Sequence, residues 1–583
     1  MVRESKEKYR IVLKRLESKM DNSANVNKLT PVEGIAGKYI STIEDENGLL
    51  KEIEFHNTDD FNFGFDVVDV LAEKCPDKTA MMHISKAGKE RRITFKDMMY
   101  YSNKSANYLH YLGIKKGDRV LLVLKRHYQF WFALLALHKI GAIAVPCSYL
   151  LTKKDFEYRL KAGSISAVIC TADGDVSEEI DKAAKNYSGL KAKMLVGGSK
   201  DGWHKVNRDV RFFSPQFKRP PLCACGNDAA IMFFTSGTTS YPKMAVHSHK
   251  YPLAHYVTAK YWHQVEPDGM HFTISDTGWG KALWGKIYGQ WLAEAPIFTY
   301  DYNEFFAKEI LSLMEKYHIT SFCAPPTVFR MLVHVDMSKF NLSHLHNVCT
   351  AGEALNPEVY EKFYMMTGLK IMEGFGQTET TLVAANLKGM NPKPGSMGRP
   401  SPMYEVKLLN DLDEEVMTGE VGEICIRVKE DKQIGLFLGY YLDEEKTASV
   451  LRDGYYHTGD TAYMDTEGYL WYVGRSDDII KSAGFRVGPF EIENEIMKLP
   501  YVMECAVTSV PDKVRGQAIK ASIVLAKGVE VSDKLKKETM KYLKNNLASY
   551  KRPKFVDFVK DLPKTSSGKV RRAEIKAKDW EKK

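Results

Sequence analysis

No stretch of this chain is apolar for long enough to cross a bilayer. The best candidate, FWFALLALHKIGAIAVP at 130–146, is broken by His138-Lys139 and is short for a span. It reads instead as a buried helix running into a strand, so no stable membrane insertion is expected. The first residues, MVRESKEKYRIVLKRLESKM, lack the apolar core of a secretion signal. Glu4, Glu7 and Glu17 count against a mitochondrial transit peptide, which leaves a basic amphipathic surface helix as the expectation. The nine cysteines are an odd, scattered set, and Cys223-x-Cys225 has no second pair nearby at zinc spacing. That usage suits reduced thiols in a reducing compartment, taken as the cytoplasm. Nor is there a dominant charge: 83 basic against 74 acidic residues give +9 over 583 positions. An anionic small ligand fits that balance; nucleic acid does not.

Several familiar catalytic signatures are missing as well. There is no G-x-x-x-x-G-K-[ST] loop, and PKTSSGKV (563–570) lacks both its first glycine and a hydroxyl residue after Lys569. GFGQTE (374–379) places Glu379 where a dinucleotide fingerprint needs its third glycine. Neither a G-x-S-x-G elbow nor an H-E-x-x-H pair occurs. His247, His249, His344 and His346 read as surface or loop histidines rather than metal ligands. No internal repeat or low-complexity tract is evident.

What is present is a globular composition, 44% hydrophobic and 27% charged, in a chain long enough for two to four domains. From about residue 65, short runs such as RVLLVL (119–124), AVICTA (167–172), AIMFF (230–234), TSFCAP (320–325) and NVCTAG (347–352) alternate with helical patterns. That rhythm predicts βαβ units and mainly parallel sheets. After about residue 400, YEVKLLN (404–410) and GEICIRV (422–428) alternate strictly, as in a small antiparallel sheet or barrel. GRSDDIIKSAGFRVGP (474–489) marks a further change. A compact tail follows it: helix 490–498, strands 504–510 and 520–526, helix 533–547. The expectation is an α/β fold with an N-terminal domain of two packed, mainly parallel sheets over 1–476, including a β-barrel-like subdomain. A small mobile α+β domain over 477–583 completes it.

One loop invites a chemical question. FFTSGTTSYPKMAVHSH (233–249) takes a buried-looking strand into five hydroxyl and glycine positions and then Lys243. Backbone N–H groups, hydroxyls and little bulk are what a phosphate cradle needs, and a lysine adds a point charge. A solvated turn would look the same. Glu379 is a carboxylate suited to Mg²⁺ beside phosphates. HTGD (457–460) and Arg475 offer a carboxylate for ribose hydroxyls and a guanidinium for phosphate. Each signal is weak alone.

Their order is not weak. The series TSGTTSYPK, AGEAL, GFGQTE, YYHTGD, GRSDDIIKSAGFRVGPFEIE and LPKTSSGK resembles the adenylate-forming superfamily of acyl-CoA synthetases, luciferases and peptide-synthetase adenylation domains. The resemblance spans roughly residues 60–575. Within it, PKM followed by HSH, and GFRVGPFEIE, look like the medium-chain acyl-CoA synthetases. It implies ATP, Mg²⁺ and CoA as cofactors, a small carboxylic acid as substrate, and an acyl-adenylate that CoA then attacks. A homo-oligomer is left open.

By that resemblance Thr235, Ser236, Gly237, Thr238, Thr239 and Lys243 would grip the β- and γ-phosphates. Gly352, Glu353 and Ala354 would line the adenine pocket. Glu373, Gly374, Phe375, Gly376, Gln377 and Thr378 would continue it, with Phe375 stacking on the base and Thr378 at the α-phosphate. Glu379 would hold Mg²⁺, Asp460 would accept the ribose hydroxyls, and Arg475 would add a contact. Lys569 would bridge carboxylate and α-phosphate during adenylation, Arg486 would meet the nucleotide phosphate in one of two domain states, and Asp477 would be the hinge. Ala483, Gly484 and Phe485 would line a pantetheine tunnel, with Arg515, Lys544 and Arg126 as cations for CoA phosphates.

Ser240 and Met244 stand where glycines are common elsewhere in the superfamily. Acetyl-CoA synthetases carry a tryptophan at the position matching Gly376, so Gly376 implies room for longer acids. Trp279, Trp284 and Trp291 either narrow that pocket again or are core. Two other readings stay open: acyl delivery to a carrier protein or amine, and a non-catalytic nucleotide-binding relative.

Overall fold

The computed structural model describes residues 28–581 apart from 236–240, 354, 430–432, 483–484, 513–515 and 565–568; of Phe485 and Arg486 it describes the backbone alone. The expected N-terminal helix lies outside these residues. Among them, no helix is long and apolar enough to cross a membrane.

The stretch 130–146 folds as the sequence suggests, into helix Gln129–Ile140 and strand Ile143–Pro146. Every residue of the helix from Phe130 on is buried, and the Trp131 indole donates to the Lys286 carbonyl at 2.7 Å. A fully buried aromatic or leucine contributes about 1.5–3 kcal/mol relative to exposure. This helix packs against Phe95–Tyr111, whose start is fixed by a reciprocal box. The Thr94 hydroxyl accepts from the Asp97 amide at 3.1 Å, while the Asp97 carboxylate accepts from the Thr94 amide at 3.0 Å.

Two large sheets flank this core. In the first, His204–Lys205, Ala192–Val196, Ile165–Thr171, Arg119–Val123, Ile143–Pro146 and Ala229–Thr235 run parallel. Lys243–Ser248 and then the edge strand Gly439–Tyr440 add on in antiparallel fashion. The second has a parallel centre of Ile371–Gly376, Asn347–Thr350, Ser321–Ala324, His271–Thr273, Ile297–Tyr300 and Thr79–Ile84. Its ends, Leu382–Ala385 with Arg399–Pro400 and Glu90–Thr94, are antiparallel. One apolar cluster joins both sheets through side chains such as Leu122, Ile231, Met81 and Ile297.

The segment after residue 400 is an antiparallel sheet of Val406–Leu409, Val421–Arg427, Tyr455–Met464, Leu451–Arg452 and Leu470–Arg475. Its described strands pair along an open path, so the barrel-like expectation reduces to a sheet. Its apolar face also covers Ala245, Val383 and Tyr440, at the edges of both large sheets. Beyond it, Ile480–Ser482, Phe485–Val487, Val502–Asp512, Gly516–Leu525 and Phe555–Val559 form a separate sheet backed by helices Pro489–Met497 and Asp533–Asn546. Both helices and both long strands fall within a few residues of their expected spans. The three-stranded sheet of Thr30–Pro31, Ile40–Glu44 and Leu50–Phe55 was not anticipated.

Candidate functional site

The hydroxyl-rich loop closes a β-hairpin in which Thr235 and Lys243 are cross-strand partners. Ser236, Gly237, Thr238, Thr239 and Ser240 lie outside the described residues, so the hairpin's shoulders are what can be placed. Lys243 is half-buried, and its ammonium sits 5.2 Å from the centre of the Tyr440 ring. Burial, followed by the nearby Lys446 charge, pushes that ammonium below the usual lysine range. The Tyr440 hydroxyl donates to Glu379 Oε1 at 2.8 Å. Burial raises the Glu379 carboxyl above its ordinary value, opposed by Tyr440 and Lys243. Tyr440, on the edge strand of the first sheet, thus links Lys243 through its ring and Glu379 through its hydroxyl.

The histidine expectation fails for two of the four. His247 and His249 are buried and not at the surface: His247 sits within the strand Lys243–Ser248, paired on both sides, and His249 in the turn just after it. His247 Nε2 donates to the Thr378 carbonyl at 2.7 Å, and burial lowers its pKa to about 4. A neutral imidazole therefore props the Gln377–Glu379 turn from below.

Gln377 is the hub of that turn. Its amide nitrogen reaches the Thr458 carbonyl at 2.8 Å and Asp460 Oδ2, and its carbonyl accepts from the Tyr456 hydroxyl at 2.7 Å. Asp460 also accepts from the Tyr472 hydroxyl at 3.0 Å and lies 3.4 Å from Arg475 Nη1. Desolvation raises its carboxyl, and Arg475 counters that. Asp460 and Arg475 are cross-strand partners, and Gly459 between them has φ +70°. The backbone there favours glycine, and a Cβ would lie 2.7 Å from Arg475 Nη2 and push the guanidinium aside.

On the other side of the turn, Phe375 and Tyr472 have ring centres 6.4 Å apart. Glu353 faces Arg330 at 3.6 Å, and a Cβ on Gly352 would meet nothing within 4 Å. Ala354 lies outside the described residues. Glu373, expected in the pocket lining, is instead a strut behind it. Its two oxygens accept from the amides of Leu355 at 3.2 Å and Gly395 at 3.0 Å, and burial raises its pKa to about 8.

Of the tryptophans, Trp291 is core: it is fully buried, stacked on Phe63 and donates to the Ala80 carbonyl. Trp284 is different, because its ring edge abuts Gly376. Trp279 is half-buried just before the helix Gly280–Gly285 that carries Trp284. The same helix holds Lys281, a residue the sequence reading passed over. Its buried Nζ donates to the Ala351 carbonyl at 2.9 Å, beside Gly352. Burial, and to a lesser degree the Lys569 charge, lower its pKa.

Lys569 of the C-terminal unit is exposed, and its positive charge acts on both Lys281 and Asp460, disfavouring protonation of each. Asp477 pairs with Arg475 at 3.6 Å. Arg572, three residues past Lys569, grips both oxygens of Glu493 at 2.6–3.1 Å. Lys544 is exposed on helix Asp533–Asn546. Arg126, expected to present a cation to CoA, is buried: it pairs with Asp276 at 3.1 Å and Asp301 at 3.8 Å, over the Tyr302 ring. Two carboxylates already neutralise it. Ala483, Gly484 and Arg515, and the side chains of Phe485 and Arg486, fall outside what is described.

Missed with Lys281 were Tyr440, Tyr456, Tyr472 and Arg330. A lysine inside the apolar TGWGKALW stretch was a signal that could have been taken. The tyrosines gave none, since tyrosine is equally at home in a β-sheet core.

Residues 68–441 match the family model described as AMP-binding enzyme, and 491–569 match the AMP-binding enzyme C-terminal domain. The chain is 38% identical over 530 residues to human "Acyl-coenzyme A synthetase ACSM3, mitochondrial", covering 89% of this chain and 90% of that protein. It is 37% identical to "Acyl-coenzyme A synthetase ACSM4, mitochondrial" of Rattus norvegicus, covering 89% and 91%. Among solved structures, a Brucella canis acyl-CoA synthetase is 30% identical with a TM-score of 0.67, over 90% of this chain and 95% of that one. The anthranilate CoA ligase AuaEII in complex with anthranoyl-AMP is 28% identical with a TM-score of 0.80, over 89% and 97%. The relatives' names carry a mitochondrial location, so the cytoplasmic expectation draws no support from them.

Proposed function

The chain belongs to the AMP-binding enzymes and is an AMP-forming acyl-CoA synthetase, an acid–thiol ligase using ATP, Mg²⁺ and CoA; we propose that it activates short- to medium-chain carboxylic acids at the pocket between Lys569, Asp460 and Trp284. The observation that carries the site is the gathering of Gln377, Tyr472 and Arg475 around Asp460, on which the Lys569 charge also acts.

The first half-reaction joins two anions, so its barrier is largely electrostatic. In this reading Lys243 and the hairpin loop hold the outer phosphates. Asp460, fixed by Gln377 and Tyr472, accepts the ribose hydroxyls, and Phe375 covers the base. Lys569 holds the acid's carboxylate against the α-phosphate, in line for displacement of pyrophosphate. Glu379 offers a buried carboxylate oxygen of the kind a hard divalent cation takes, and a cation there would neutralise phosphate charge. Rotation about Asp477 would then withdraw Lys569 and admit the CoA thiol past Gly484, where the absence of a side chain leaves width. The compartment stays open between the cytoplasm and the mitochondrial location of the relatives.

The deciding experiment measures AMP release across straight and branched acids from acetate to dodecanoate, with CoA as acceptor. Best turnover in the four- to ten-carbon range supports the proposal. Acetate as best substrate would refute the argument from Gly376. A carrier protein or amine preferred over CoA would refute the ligase reading.

A further inference from the structure

Away from the nucleotide pocket, three potential metal ligands converge on the antiparallel sheet. Cys425 and His457 are directly opposed across strands Val421–Arg427 and Tyr455–Met464. Glu423 lies two residues before Cys425, across an irregularity in the strand register, and also reaches His457. Cys425 Sγ is 3.4 Å from His457 Nδ1, and Nδ1 is 3.1 Å from Glu423 Oε2. The Arg452 guanidinium also reaches Nδ1, at 3.2 Å from Nη2.

These contacts cannot all be satisfied by hydrogen bonding. A guanidinium has donors and no acceptor. If Nδ1 is unprotonated it accepts from Arg452, but then faces a carboxylate oxygen at 3.1 Å with no proton between them. If Nδ1 carries the proton it serves Glu423, but then faces the Arg452 donor. One cation in place of the guanidinium removes the conflict, because sulfur, nitrogen and oxygen would all direct lone pairs at it. His457 is 5% exposed, and ligation through Nδ1 would leave its proton on Nε2, which has no hydrogen-bond partner among the described residues.

The spacing suits one metal in particular. Tetrahedral zinc, with bonds of about 2.3 Å to sulfur and about 2.0 Å to nitrogen or oxygen, separates S and N by about 3.5 Å and N and O by about 3.3 Å. The observed 3.4 and 3.1 Å are close to those edges before any metal arrives. We propose that Glu423, Cys425 and His457 form a binding site for Zn²⁺ or a similarly thiophilic divalent ion, completed by one water. On binding, the Cys425 thiol proton passes to solvent, a metal–sulfur bond forms, and the hydrated ion sheds waters. Entry is past Arg452, whose side chain is 40% exposed and stays held by Asp413 at 2.7 Å when its other nitrogen is displaced. Glu423 Oε1 accepts from the Gly459 amide at 2.7 Å, so the metal would sit beside the part of strand Tyr455–Met464 that carries Asp460.

The test is a Co²⁺ titration of the reduced, chelator-stripped full chain, followed by absorbance. One equivalent is expected to give a thiolate-to-cobalt charge-transfer band that Zn²⁺ abolishes. Cys425→Ser is expected to lose the band. Glu423→Gln, which keeps the thiol, is expected to weaken Co²⁺ binding at least tenfold. A wild-type chain without the band overturns the site, as does a band that persists in Cys425→Ser or an unchanged affinity in Glu423→Gln. Persistence would place the metal on other cysteines.

Discussion

Trp284 and Gly376 are in edge-on contact: a Cβ added to Gly376 would lie 2.5 Å from Trp284 Cη2. The glycine makes room, and the tryptophan of a different element occupies it. Trp284 is itself pinned, its indole donating to the Tyr251 hydroxyl at 3.2 Å. In the proposed site, the acyl pocket would therefore be walled from the helix Gly280–Gly285 rather than from position 376.

Replacing that wall by Trp284→Ala is expected to move the acid optimum to longer chains. Each additional buried methylene contributes about 0.8 kcal/mol, or roughly fourfold in kcat/KM. A gain of two methylenes thus corresponds to roughly tenfold or more. Measuring kcat/KM across straight-chain acids reads this directly, and an unshifted profile would remove Trp284 from the pocket. Gly376→Ala is expected to do the opposite, costing about 1–3 kcal/mol of stability through overpacking.

Lys569→Ala separates the half-reactions. Carboxylate-dependent pyrophosphate exchange is expected to fall on the order of 100-fold or more, the scale of losing one group that stabilises developing charge. CoA-dependent release of AMP from a supplied acyl-adenylate is expected to survive. Retained exchange in the variant means that Lys569 plays another part.

Asp460→Asn keeps the shape and removes the charge that Arg475, Tyr472 and Gln377 converge on. Its KM for ATP is expected to rise about tenfold or more, from the roughly 1.5–3 kcal/mol that hydrogen bonds to a charged group carry. Initial rates at saturating acid and CoA check it. An unchanged KM would dissociate Asp460 from the ribose.

Glu373 gives the protein a pH dependence of known sign. Its folded pKa of about 8 lies above the 4.5 of a free glutamate, so the folded state keeps a proton that the unfolded chain has lost. The associated stability is fully present below pH 4.5 and declines as pH rises to about 8. The whole difference is on the order of 4–5 kcal/mol at 1.36 kcal/mol per pKa unit. Glu373→Gln is expected to flatten the fall in thermal midpoint between pH 5 and 8. Parallel wild-type and variant curves would show that Glu373 is ionised in the fold.

The alternation of short apolar runs with helical patterns determined the two parallel sheets, because a strand buried on both faces must be apolar throughout. Order of motifs alone grouped Thr235, Lys243, Gln377, Glu379, Asp460 and Lys569, and two sets of contacts join four of them: Lys243 to Glu379 through Tyr440, and Gln377 to Asp460 directly. Thr235 enters as the cross-strand partner of Lys243. Sequence also carried the helices and strands of the C-terminal unit, whose amphipathic periods are local properties.

Only the tertiary structure decided the rest, and the reason is the same each time: burial and pairing are set by neighbours distant in sequence. Arg126 was read as a surface cation because a lone arginine gives no sign that Asp276 and Asp301 enclose it. His247 looked like a loop residue until Gly439–Tyr440 paired alongside and buried its strand. Glu373 could not be told from a ligand contact without the amides of Leu355 and Gly395. Nor could the sequence oppose Cys425 to His457, which are 32 residues apart and brought together by strand register. Composition and motif order determined the chemistry this chain performs; packing decided which side chains face it.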